Sequence, residues 1–115
     1  MKQLLHRSLS VVFLALIFVF SLISAPAQAE TFEIACGDTI ELIAAINTAN
    51  ENEDPDIINL APGCVYTFTV WADSDGTNGF TALPRITTPL VINGSGAIIE
   101  RDADAAVEFR LLIVT

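Results

Sequence analysis

An apolar run near the start of the chain, from Leu9 to Ile23, sets the strongest limit on what the sequence can form. A short basic segment precedes it, and its 15 residues are too few for a membrane-spanning helix, which needs about 20. Ala27-Gln28-Ala29 then places alanine at the −3 and −1 positions of a cut after Ala29, as in secretory signal peptides. We therefore predict that residues 1–29 are removed. Residues 30–115 then form one domain, with no stable membrane span after cleavage.

Export determines how the charges and the cysteines of the remaining chain are interpreted. Residues 30–115 hold all 14 acidic residues but only three arginines, a formal net charge of −11. Such a surface disfavours binding to nucleic acid and to anionic lipid. Cys36 and Cys64 meet oxidising conditions after export, and they lack both C-x-x-C spacing and an accompanying histidine. We therefore predict a disulfide between them.

A helix signal begins at Asp38. Asp38 and Glu41 form a capping-box pattern, in which Asp38 accepts from first-turn amides and Glu41 reaches back. The apolar residues that recur on one helical face are Leu42, Ile43, Ile46 and Ala49. The helix must stop before Pro55, and residues 50–54 form a polar exit. The sequence therefore predicts an amphipathic helix from Asp38 to Asn50.

Short strands separated by turn residues follow Pro55. Thr31–Gly37 is interpreted as a lead-in and Trp71–Gly79 as a loop without apolar periodicity. The predicted strands are Ile57–Leu60, Val65–Val70, Leu90–Asn93, Ala97–Glu100 and Phe109–Val114. In the second of these, Tyr66, Phe68 and Val70 alternate with threonines and are predicted to face a core. A series of this kind fits a sandwich, a barrel or a parallel repeat.

Two stretches of the sequence resemble a known family. Residues 36–68 are CGDTIELIAAINTANENEDPDIINLAPGCVYTF, and residues 83–102 are LPRITTPLVINGSGAIIERD. They are similar to the N-terminal capping region and first rungs of bacterial secreted or surface right-handed parallel β-helix repeat proteins. Residues 41–45, ELIAA, depart from the L-R-E-A helix start that the family often has. The resemblance implies a mainly β, pectin lyase-like fold. One N-terminal amphipathic α-helix would cap the first rungs of a β-helix that is incomplete in residues 30–115.

The chemistry of residues 30–115 is limited by the residue types they lack. The chain's one histidine and one lysine are His6 and Lys2, both in the predicted signal peptide. Catalytic triads and histidine-ligated zinc are therefore excluded from the exported part. Arg85, Arg101 and Arg110 are the remaining candidate bases, and nothing in the sequence places them beside an acid cluster. We predict no catalytic and no cofactor-binding residues.

Paired carboxylates are the remaining candidates for a metal site. The pairs are Asp54/Asp56, Asp73/Asp75 and Asp102/Asp104, and the best of them lies in the loop of residues 73–79. There Asp73, Asp75 and Asn78 are candidate calcium ligands, because hard cations prefer several oxygens on a turning loop. The loop has Pro84 where an EF-hand has its closing glutamate. We predict an ordinary solvated turn and no metal, with calcium as the alternative.

The expected function follows from these observations and from the resemblance. We expect a secreted, extracellular or cell-surface protein, with the periplasm also open, that is structural or adhesive and non-catalytic in this segment. Its expected partner is an extracellular glycan or a protein surface, and Tyr66 with Trp71 is a candidate sugar-stacking platform if Tyr66 is not in the core. The uncapped final strand, Phe109–Thr115, is expected to self-associate. Two alternatives stay open: the start of a calcium-dependent polysaccharide-active β-helix enzyme, and a truncated gene product without independent function.

Overall fold

The structure is a computed structural model that describes residues 28–115. Most of the predicted signal peptide, residues 1–27, lies outside this part, whereas Gln28 and Ala29 lie within it. The described chain consists of short strands and one helix, so the predicted mainly β class with a single helix is confirmed for these residues. The elements are β1 (Thr31–Ile34), α1 (Thr39–Ala49), β2 (Asp56–Leu60), β3 (Val65–Phe68), β4 (Asp73–Ser74), β5 (Phe80–Thr81), β6 (Leu90–Asn93) and β7 (Ile98–Arg101).

Parallel pairing brings distant stretches of the chain side by side. β1 pairs with β2, and β2 pairs with β6, so that Phe32, Ile58 and Ile92 occupy one register position. β3 and β7 form a second parallel sheet. Two isolated parallel bridges, Thr81 with Arg110 and Ile86 with Val114, extend the same relation to the last residues. β4 and β5 pair antiparallel.

The core lies between these sheets and the helix. Its fully buried centre includes Tyr66, whose hydroxyl donates to the Ile34 carbonyl at 3.2 Å and accepts from the Ala61 N–H at 2.9 Å. Tyr66 therefore satisfies two backbone groups that would otherwise lie unpaired near the core. The other buried apolar residues of the cluster are Ile34, Leu42, Ala45, Ile46, Ile58, Leu60, Phe68, Ala82, Leu83 and Ile86.

Helix α1 follows the predicted pattern with two differences. The Asp38 carboxylate accepts from the Glu41 N–H at 2.9 Å, as expected of an N-cap. The predicted return contact from Glu41 is wrong, because the Asp38 N–H donates to the Ala35 carbonyl instead. On the buried face Ala45 takes the place predicted for Ile43, which is only partly buried. The small alanine lets the helix approach the sheets closely.

The end of helix α1 is tied to the chain before β6. The Asn50 amide donates to the Arg85 carbonyl at 2.7 Å, and its oxygen accepts from the Thr87 N–H at 3.0 Å. The Thr88 hydroxyl donates to the Ala49 carbonyl at 3.0 Å. The helix C-terminus therefore obtains its missing hydrogen-bond partners from the coil that packs beneath it. The sequence indicated only a polar exit here.

The predicted disulfide between Cys36 and Cys64 is present, with a Cα–Cα distance of 5.4 Å. It joins the segment between β1 and α1 to the residue that precedes β3. The bond is compatible with an extracellular location. Among residues 28–115, no helix combines the length and the apolar character needed to cross a membrane.

Several predicted element bounds are corrected. The lead-in contains a strand, β1. β3 ends at Phe68, and Val70 is 70% exposed rather than buried, because the partner strand β7 ends opposite Phe68. The loop after Trp71 contains β4, which pairs with β5. The final apolar run is not a continuous strand, since only single bridges form at Arg110 and Val114.

Candidate functional site

The loop predicted as the best calcium candidate is organised around Asp75. One carboxylate oxygen of Asp75 accepts from the backbone N–H groups of Thr77 at 2.9 Å and Asn78 at 2.6 Å. The other oxygen accepts from the Asn78 side-chain amide at 2.6 Å and lies 2.6 Å from the Arg85 guanidinium. Both oxygens are therefore held by donors of the chain itself.

These donors change the acidity of Asp75. The backbone N–H of Asn78 contributes most, followed by its side-chain amide, and together with Thr77 and Arg85 they lower the pKa of Asp75 to about 2. Each donor stabilises the charged carboxylate over the protonated form. The carboxylate of Asp75 is thus ionised at neutral pH and already neutralised locally by Arg85.

Asp73 and Asn78 do not converge with Asp75 on an open centre. Asp73 accepts from the Arg85 N–H at 3.1 Å, and Asn78 is spent on Asp75. In the part of the chain that the structure describes, no three Asp, Glu, His or Cys side chains are grouped to hold a metal ion. The geometry favours a loop that is closed by its own hydrogen bonds and pinned to the core through Arg85.

The other two carboxylate pairs lie in separate places. Asp102 accepts from the Asp104 N–H at 2.8 Å within its own turn. Asp56 is fully buried and accepts from the Glu30 N–H at 2.6 Å and the Asn52 amide at 3.2 Å. Each pair thus serves local structure, and no two of the pairs meet as an acid–base couple would require.

A groove of about 430 Å³ opens beside the Asp75 loop. Loop residues Asn78 and Phe80 line one side of it. Residues that follow β7 in the chain, or end it, line the rest: Arg101, Glu108, Phe109 and Arg110. The parallel bridge between Thr81 and Arg110 holds the two sides together. The groove therefore combines two aromatic rings with hydrogen-bond donors and acceptors, a lining typical of small-molecule and glycan sites.

The arginines of this groove are arranged differently from Arg85. The Arg101 guanidinium lies 5.7 Å from the centre of the Phe109 ring, a cation–π distance. Within residues 28–115, the one salt bridge joins Arg85 to Asp75, so Arg101 and Arg110 keep their N–H groups for other partners there. With the Glu108 carboxylate beside them, the groove offers both signs of charge.

An aromatic pair adjoins the groove. Trp71 stacks on Phe80 with ring centres 4.7 Å apart and planes inclined by 29°, and both rings are more than a third exposed. The candidate platform of Trp71 with Tyr66 is wrong, because Tyr66 is fully buried. Phe80 is its actual partner.

No family model, curated protein or solved structure matches this chain. The resemblance to β-helix proteins consequently rests on the sequence patterns alone. The site is defined by its own geometry.

Sequence reasoning missed most residues of the groove. Phe80 and Phe109 lie almost thirty positions apart, and no local motif connects them. The one available signal was the spacing of the apolar segments, which would have aligned residues 80–86 with residues 109–114. That alignment is the one the two isolated bridges make.

Proposed function

We propose that this chain is a secreted or cell-surface protein that is structural and adhesive and non-catalytic in this segment. Its described part is the start of a right-handed parallel β-helix capped by helix α1. The groove beside the Asp75 loop is its contact surface for an extracellular glycan.

The parallel register of the strands is the observation that carries the fold part of this proposal. Successive strands align at offsets of 26 residues from Thr31 to Ile57 and 34 residues from Ile57 to Val91. Parallel neighbours need a long crossover, and repetition of such crossovers is what a coil stack requires. Side chains align as well: the Asn59 amide donates to Glu33 at 2.6 Å, and the Asn93 amide donates to Asn59 at 2.7 Å.

The composition of the groove supports an adhesive role toward uncharged sugars. Phe80 and Trp71 offer aromatic surface, while Arg101 and Glu108 offer donors and acceptors for hydroxyl groups. The net charge of −11 on residues 30–115 repels polyanions over long range. A neutral glycan therefore fits this surface better than an acidic one.

Glycan binding by the exported full-length product tests the proposal. The purified protein is applied to immobilised neutral and acidic polysaccharides, and the released sugars are measured in the same wells. We expect binding to a neutral glycan without sugar release. Phe80→Ala should weaken binding about 10-fold, because stacking contributes of the order of 1 kcal/mol or more.

Val91→Ala is the matched control, since Val91 is also an exposed apolar residue but does not line the groove. It should bind like the wild type. Preferential binding to acidic glycans, sugar release, or an equal loss in the Val91 variant would contradict the proposal.

A further inference from the structure

Asp56 stands out among the acidic residues because its side chain is 0% exposed. Charged carboxylates are almost never fully buried without a partner of opposite charge, since burial removes their hydration. The donors present are two neutral groups, the Glu30 N–H at 2.6 Å and the Asn52 amide at 3.2 Å. Among residues 28–115 no arginine forms a salt bridge with Asp56.

The shorter of these two contacts involves the atom that the predicted cleavage would change. A cut after Ala29 turns the backbone N–H of Glu30 into an α-ammonium group. The sequence pattern Ala27-Gln28-Ala29 and the buried carboxylate point independently to the same residue. We propose that Asp56 is the binding site for the new α-ammonium of Glu30, so that removal of the signal peptide creates a buried ion pair at the start of the fold.

The surroundings of Glu30 fit this role. Gln28, Ala29 and Glu30 are exposed, so removal of the residues before Glu30 leaves no gap in the core. The Glu30 carbonyl accepts from the Ile57 N–H at 2.9 Å, which fixes the residue beside β2. Because β1 begins at Thr31, the new N-terminus lies one residue before the first strand.

The pair exists only in the processed protein. Before cleavage Asp56 receives one neutral hydrogen bond from Glu30, whereas afterwards it receives a charge-assisted one, which is about twice as strong. Processing would thereby stabilise the pairing of β1 with β2. This inference depends on the cleavage position and goes beyond the stalk and glycan proposals, which it does not require.

The chain is well suited to a chemical test. Its one lysine is Lys2, so a protein that begins at Glu30 has the α-amine as its sole primary amine. The protein is purified after export, its N-terminal residue is sequenced, and the rate of acetylation is followed by intact mass. Asp56→Asn is compared with Asp54→Asn, the same chemical change at the neighbouring acidic position.

We expect the sequence to begin at Glu30. Wild type and the Asp54 variant should acetylate about 10-fold more slowly than the Asp56 variant, which follows from the strength of a hydrogen bond to a charged group. Another N-terminal residue, or equal rates in wild type and the Asp56 variant, would overturn the proposal.

A second measurement needs no substitution and covers a failure of the Asp56 variant to fold. The wild-type amine is acetylated, or dimethylated with retention of its charge, in urea with the disulfide intact, and the protein is then refolded. Acetylation should lower Tm by about 5–10 °C, and dimethylation should leave it nearly unchanged. Equal Tm values for the two products would overturn the proposal.

Discussion

Tyr66→Phe removes one hydroxyl group from the centre of the core and leaves the ring in place. Because the Tyr66 ring is fully buried, phenylalanine fills the same space and creates no apolar cavity. The lost contacts are the bonds to the Ala61 N–H at 2.9 Å and the Ile34 carbonyl at 3.2 Å. At about 1 kcal/mol net for each bond, the free energy of unfolding should fall by about 2 kcal/mol. For a domain of this size that corresponds to a loss of about 8–16 °C in Tm.

Urea unfolding followed by far-UV circular dichroism measures this loss, with Trp71 fluorescence as the second probe. Thr67→Val is the control, because the Thr67 hydroxyl bonds to Glu100 at 3.0 Å on the exposed side of the same strand. It should cost less than about 0.5 kcal/mol. If both variants lose the same stability at an unchanged m value, the bridging role assigned to the Tyr66 hydroxyl is refuted.

Three further predictions concern the disulfide, the loop and the sheet edge. Replacing Cys36 and Cys64 together by serine should lower the free energy of unfolding by about 3.5 kcal/mol, the chain-entropy value for a sequence separation of 28, as measured by urea titration with and without reductant. Because the pKa of Asp75 is lowered to about 2, its contribution to stability is present above pH about 4 and is lost as the pH falls toward 2. Asp75→Asn should therefore flatten that part of an acid unfolding curve, and an unchanged curve would contradict the assigned cause. Val91 is 50% exposed on β6, which pairs on one side only within residues 28–115, so Val91→Lys should reduce concentration-dependent association in sedimentation velocity.

Features encoded locally in the sequence were predictable. The N-cap at Asp38 and the apolar spacing of Leu42 and Ile46 need only the helix itself, and the structure contains both. Cys36 and Cys64 are the one cysteine pair, so their pairing followed from counting and from export.

Features that depend on distant partners were not predictable in the same way. β1 is only four residues long and is a strand because β2 pairs with it. Val70 continues the alternation of Tyr66 and Phe68, yet it is exposed because β7 has no residue left to pair with it. Tertiary pairing overrides local pattern in such short elements.

The groove was unpredictable for a related reason. Its two sides are joined by the single bridge between Thr81 and Arg110, which no local propensity encodes. Phe80 and Phe109 each have the pattern of an ordinary apolar residue, and only the parallel offset between their segments brings them together.

The antiparallel pair β4–β5 bears on how a gene of this kind can change in length. The excursion from Val70 to Phe80 closes on itself through the Ala72 N–H, which donates to the Thr81 carbonyl at 2.8 Å. Codons gained or lost at its tip leave the alignment of β3 with β7 unaltered. One codon added inside β2 would turn every later side chain of that strand to the opposite face. Descendants of this sequence should therefore vary in length at the tip of the excursion and stay fixed in length within the paired strands.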